Sequence, residues 1–137
     1  LDHYRDAILK QLKGLNHDYV ISIPLHPRKY RERGYNQVDE ITSWISHACQ
    51  ISNGSHLVSR RKYTSSQTTL NAEQRASNVA KAFEVIKPET FQEKRILLVD
   101  DVLTTGATSN TLAREVYLAG GKTIDLITLS TPTRGKA

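Results

Sequence analysis

An α/β domain with a central, mostly parallel sheet flanked by helices is what this chain predicts, and three observations predict it. Ile96 to Val99 is an unbroken apolar run, the mark of a strand covered on both faces. Strand-like and helix-like apolar patterns alternate along the chain, as layered α/β folds require. The length of 137 residues suits one sheet-centred core and leaves little room for a second, so a single domain over 1–137 is expected.

Tyr4, Ile8, Leu12 and Leu15 recur at helical spacing and define a first helix that Gly14 helps to end. Tyr19 to Ile23 reads as the first strand. Asn36 to Ala48 is predicted helical, with Val38, Ile41, Trp44, Ile45 and Ala48 on one face. Cys49, the single cysteine, lies near that face and is expected to be buried and inert. His56 to Val58 is a short strand. The stretch from Arg60 to Leu70 is the one long irregular polar segment, and such length points to a functional loop more than to scaffolding.

Asn71, three residues before Gln74, reads as a helix N-cap pair. It leads through Ala76 and Val79 to a strand over Ala82 to Ile86. After the run at Ile96 to Val99 comes a helix marked by Leu112, Ala113, Val116, Leu118 and Ala119, stopped at Gly120-Gly121, where glycine relieves a left-handed cap. Lys122 to Leu129 makes the last strand.

Chemistry concentrates between the apolar strand and its helix, in Asp100-Asp101-Val102-Leu103-Thr104-Thr105-Gly106-Ala107-Thr108. At a helix entry the first N–H groups lack partners and the dipole favours an anion. Gly106 permits close approach of the backbone, and the hydroxyls of Thr104, Thr105 and Thr108 add donors suited to phosphate. Asp100 and Asp101 would repel phosphate. They suit acceptor work instead, taking bonds from sugar hydroxyls or holding Mg²⁺ through its waters. The plainer alternative is that the acids merely end the strand while a threonine caps the helix, but capping needs one such residue and this loop supplies several. Neither Gly-x-x-x-x-Gly-Lys-Ser/Thr nor Gly-x-Gly-x-x-Gly occurs, so the nucleotide triphosphatase and dinucleotide signatures are missing.

The string Val99 to Thr108 resembles the phosphoribosyl pyrophosphate (PRPP) signature of type I phosphoribosyltransferases. Ile23-Pro24-Leu25-His26-Pro27-Arg28, Arg31-Glu32-Arg33-Gly34-Tyr35-Asn36-Gln37, and Gln67-Thr68-Thr69-Leu70 with Glu73, Arg75, Asn78 and Phe83 narrow the likeness to the ComF/GntX-like branch associated with bacterial DNA uptake. It runs over most of the chain. The resemblance implies a type I phosphoribosyltransferase-like fold, with Asp100 and Asp101 meeting the ribose hydroxyls and Leu103, Thr104, Thr105, Gly106, Ala107 and Thr108 cradling the 5′-phosphate. Leu25, His26, Pro27 and Arg28 would form the pyrophosphate loop. The stretch around Arg60 to Arg75 would correspond to a loop that closes over the site and excludes water. Many ComF-type proteins begin with a Cys-x-x-Cys zinc module, whose spacing this sequence lacks. No zinc is expected in this chain, and the start at Leu1 without Met suggests a truncated chain.

Charge is uneven in a way that suits such a ligand. The net is +5 and the pI about 9.4. Arg28, Lys29, Arg31 and Arg33 fall within six positions, and Arg60, Arg61 and Lys62 are consecutive. With Gln67 and Arg75 they form the basic side of the expected site, arginine supplying forked donors for phosphate oxygens. The same cations, with Tyr30, Tyr35 and Tyr63 among them, would serve single-stranded DNA. His26 could donate to phosphate, while His3, His17, His47 and His56 show no ligand spacing. A mean hydropathy of −0.47, no membrane-length apolar run and no export-signal pattern lead to the expectation of a cytoplasmic protein without membrane insertion.

Two functions from different classes follow. One is Mg²⁺-dependent transfer of phosphoribose from PRPP to a nitrogen nucleophile, for which no nucleophilic serine or cysteine is needed. The other is a non-enzymatic, PRPP-sensing or single-strand-handling protein working with DNA-uptake machinery in natural transformation. No separate segment that would select a base is recognisable, which keeps the second reading close to the first.

Overall fold

The computed structural model describes residues 2–24, 37–60, 82–102 and 107–130. Helix α1 (Asp2–Leu12) leads to strand β1 (Tyr19–Ser22), helix α2 (Gln37–Cys49) and the two-residue strand β2 (Ser52–Asn53). Strands β3 (Val58–Arg60) and β4 (Phe83–Val85) follow, then β5 (Arg95–Val102), helix α3 (Ala107–Leu118) and β6 (Thr123–Ser130). Four strands form a parallel sheet in the order β2-β1-β5-β6. The pair β3 and β4 makes a separate antiparallel sheet.

Alternation along the buried strands divides the core into two. Ile96 and Leu98 of β5, with Ile21 and Ile23, face Leu112 and Val116 of α3 and Val58 and Phe83 of the small sheet. Leu97 and Val99, with Val20, Ile127 and Leu129, face Ile8 and Leu12 of α1 and Val38, Ile41 and Ile45 of α2. Helices thus cover one face alone, and a helix shares the other with an antiparallel pair that the sequence pattern did not separate from the main sheet. Phe91, at the end of a 3₁₀ turn over Pro88–Phe91, is fully buried and meets the Tyr19 ring edge-on, centroids 6.0 Å apart.

Several expectations need correction. Leu15 is 51% exposed, because the chain leaves α1 through Gly14 at φ +84° and no longer follows the helix face. Ala48 is exposed while Thr42 is buried. The Ser22 hydroxyl donates to Thr42 Oγ1 at 2.7 Å, which turns the stripe of α2 so that it runs through Thr42 towards Cys49. Cys49 is half-buried rather than buried, and burial pushes its thiol pKa up. Ser55–Leu57 is a 3₁₀ turn, and the strand begins only at Val58. Leu118 is 64% exposed, since two positions beyond Val116 is about 200° around the helix. The pair Asn71 and Gln74, with Ala76 and Val79, lies outside the described residues.

Glycine does at the end of α3 what the sequence predicts. Gly121 N–H donates to the Val116 carbonyl at 3.1 Å and Gly120 N–H to Tyr117 at 2.9 Å, the paired bonds of a Schellman cap. Gly120 sits at φ +105°, and a Cβ there would come within 3.1 Å of the Gln92 backbone. Gly120→Ala is expected to destabilise the fold by about 1–3 kcal/mol, read as a lower urea midpoint at unchanged slope.

The two edges of the sheet differ in kind. At its amino edge, Asp18 N–H donates to the Arg95 carbonyl at 2.7 Å and Arg95 N–H to Asp18 Oδ2 at 2.8 Å. The His17 side chain, 2% exposed, lies with Nε2 2.8 Å from Asp125 Oδ2. Short polar links of this sort lock strand ends together. The carboxyl edge carries the acids and the loop entries.

Candidate functional site

Strand order fixes where a ligand can enter. From β1 the chain crosses through α2 to β2 on one side, and from β5 it crosses through α3 to β6 on the other. Crossovers of one hand in opposite directions place their helices on opposite faces, as the two cores record. The crevice at such a reversal, outside the carboxyl ends of the strands, is where open α/β sheets bind ligands. Here it lies between β1 and β5.

Ile23 N–H donates to the Val99 carbonyl at 2.9 Å, so the chain leaves β1 beside Asp100. Asp100 and Asp101 are both partly exposed at the carboxyl end of β5. Asp100 Oδ1 accepts the Asp101 N–H at 2.7 Å, a bond that holds its carboxylate against the strand end. Asp100 also stands in register with Thr128 of β6. Four residues after β5 the chain enters α3 at Ala107, and the first turn of that helix has no acidic residue. No carboxylate within that turn offsets the positive end of the dipole. Thr108, in this turn, is exposed.

Arg60 reaches the chain just beyond β1 from the small sheet. Its Nε–H donates to the Pro24 carbonyl at 3.3 Å, and its guanidinium lies over the Phe83 ring, 4.9 Å from the centroid. Of the residues expected at the site, Asp100, Asp101, Arg60, Ala107 and Thr108 fall within the described residues. Leu25, His26, Pro27, Arg28, Arg31, Arg33, Arg61, Gln67, Arg75, Leu103, Thr104, Thr105 and Gly106 lie outside them.

Sequence reasoning passed over the support behind β1. Ser22 N–H donates to Ser55 Oγ at 2.9 Å, and Ser55 N–H to Asn53 Oδ1 at 3.0 Å. With the Ser22–Thr42 bond these ties fix the carboxyl end of β1 against α2 and the turn after β2. A polar residue inside the apolar run Val20-Ile21-Ser22-Ile23 is the one signal that could have pointed there, since a buried hydroxyl needs a partner. Beside these residues Ser22, Pro24, Asp39, Ser43, Asn53, Ser55, His56 and Val58 line a cavity of about 410 Å³.

Comparison with known proteins agrees with the geometry. The chain is 34% identical over 108 residues to competence protein F of Haemophilus influenzae, a match covering 78% of this chain and 47% of that protein. It is 31% identical over 109 residues to the DNA utilization protein YhgH of Escherichia coli, covering 80% and 47%. Against competence protein ComFC of Streptococcus pneumoniae it is 32% identical over 126 residues, covering 92% and 54%. The chain therefore spans about half the length of the curated relatives it matches. No family model matches. Among solved structures, a glutamine PRPP amidotransferase from B. subtilis superposes with a TM-score of 0.64 at 18% identity, covering 94% of this chain and 26% of that one. An adenine phosphoribosyltransferase from Thermoanaerobacter pseudethanolicus gives 0.60 at 17%, covering 96% and 79%. The fold is that of the type I phosphoribosyltransferases. Among the described residues no helix is long and apolar enough to cross a membrane.

Proposed function

Because this chain belongs to the ComF family of competence and DNA-utilization proteins, we propose that it binds PRPP at the β1/β5 crevice and serves the handling of incoming DNA. One observation supports the reading: β1 and β5 are parallel neighbours, so the end of β1 lies beside the two carboxylates that close β5, and an acid-free helix turn follows them in the chain. Asp100 and Asp101 accept from the ribose hydroxyls. The first turn of α3, with Thr108 and the preceding residues Leu103 to Gly106, takes the 5′-phosphate by main-chain donors. Leu25 to Arg28, which follow Pro24, take the pyrophosphate.

The two partly exposed carboxylates also suit Mg²⁺, which keeps several waters and takes one or two carboxylates beside substrate phosphates. When bound, the ion would neutralise charge on the pyrophosphate. In a transfer reaction a nitrogen nucleophile bonds to the anomeric carbon while the bond from that carbon to the pyrophosphate oxygen breaks, its electron pair leaving with pyrophosphate. Positive charge grows on the sugar, so this chain's part is to hold the ribose still and place negative groups near it.

The names of the relatives favour a second reading, in which the pocket senses PRPP and the basic segments meet single-stranded DNA without turnover. Incubation with PRPP, Mg²⁺ and a panel of nitrogenous bases separates the two. Pyrophosphate release dependent on one base is expected for the transferase, and a silent panel with calorimetric PRPP binding intact leaves the sensor. Absence of PRPP binding would overturn both.

A further inference from the structure

Arg60 joins three elements at one point. It is the last residue of β3, its Nε–H donates to the carbonyl of Pro24, and its guanidinium covers the ring of Phe83, the first residue of β4. Phe83 is 2% exposed and belongs to the core between the main sheet and α3. The ring therefore cannot turn away without opening that core. A planar guanidinium can lie flat on an aromatic face and still donate in its own plane. An ammonium, being a compact point charge, does not reproduce that pair of bonds.

From this arrangement we infer that Arg60 is a positioning residue which pins the carboxyl end of β1 to the small antiparallel sheet. Its target is the backbone at Pro24, one residue before Leu25 to Arg28. The inference rests on the reading of Leu25 to Arg28 as the pyrophosphate segment. On the other flank, Ser22 is already held by Ser55 and Thr42, and Ile23 by Val99. Arg60 ties Pro24, the next residue along the described chain. In this role its positive charge matters less than its shape, a distinction that composition cannot make between Arg60 and its neighbours Arg61 and Lys62.

The test compares Arg60→Lys and Arg60→Ala with the unaltered chain, using pyrophosphate with Mg²⁺ and ribose 5-phosphate as separate calorimetric probes. Both variants are expected to weaken pyrophosphate by roughly tenfold, the equivalent of one hydrogen bond from a charged group, and to leave ribose 5-phosphate unchanged. Amide hydrogen exchange at Ile23 should rise in both, while interior β5 amides such as Leu98 keep their protection. Full retention of pyrophosphate affinity by Arg60→Lys would overturn the inference, because charge alone would then suffice. Unchanged exchange at Ile23 in Arg60→Ala would overturn it as well. If the unaltered chain binds neither probe, the PRPP reading fails, and the pin is decided by the exchange data alone.

Discussion

Replacing Asp100 and Asp101 together by Ala is expected to lower PRPP affinity by about 10²- to 10⁴-fold in calorimetry. Each carboxylate accepts at least one charge-assisted hydrogen bond from the ribose in the proposed complex, and such bonds contribute about 1.5–3 kcal/mol apiece. Two of them amount to about 3–6 kcal/mol, and each 1.4 kcal/mol is a factor of ten. Both acids stand partly exposed at the end of β5, outside the cores built by Ile96 to Val99. One local tie at stake is the Asp101 N–H to Asp100 Oδ1 bond, and Asp100→Asn keeps an oxygen there to accept it. In the double Asn variant the geometry survives and the charge does not, so a comparable loss of affinity would assign the effect to charge. Unaltered affinity in the double Ala variant would mean that the ribose lies elsewhere.

Phe91→Ala should cost about 3–5 kcal/mol of folding stability, the range for truncating a fully buried aromatic. The side chain has no solvent exposure and packs in the core shared by β1, β5 and α3. Its edge-on pairing with Tyr19 adds about 0.5–1.5 kcal/mol beyond area burial. For a small domain whose total stability is of the order of 5–15 kcal/mol, such a loss approaches unfolding at physiological temperature. Phe91→Leu, which fills most of the space, should recover the larger part. Chemical denaturation followed by far-ultraviolet circular dichroism measures both, and a shift below about 1 kcal/mol would show that the cavity closes or is tolerated.

The two acids were legible in the sequence as candidate site residues because the signal is local, and the structure carries β5 through both of them to Val102. An apolar strand, two acids, a run of threonines and a glycine before a helical pattern need no knowledge of distant residues to suggest an anion site. Alternation and helical spacing likewise placed β1, α2 and β6 to within a residue of where they lie, while the apolar run Ile96 to Val99 stopped three residues short of the end of β5. The short elements were less legible. A two-residue strand such as Ser52–Asn53 has too few positions for any period, and a 3₁₀ turn such as Ser55–Leu57 reads as part of its neighbour.

What the sequence determined by itself was the fold class, the family and the acids at the end of the central strand, because these are written in consecutive residues whose patterning is a property of the local chain. Only the tertiary structure decided that β1 and β5 are neighbours at a reversal of strand order, that the second core face is closed partly by an antiparallel pair, and that Arg60 donates to Pro24 and lies over Phe83. Those outcomes depend on hydrogen bonds and packing between residues dozens of positions apart. Burial selects among them only once the whole sheet has formed.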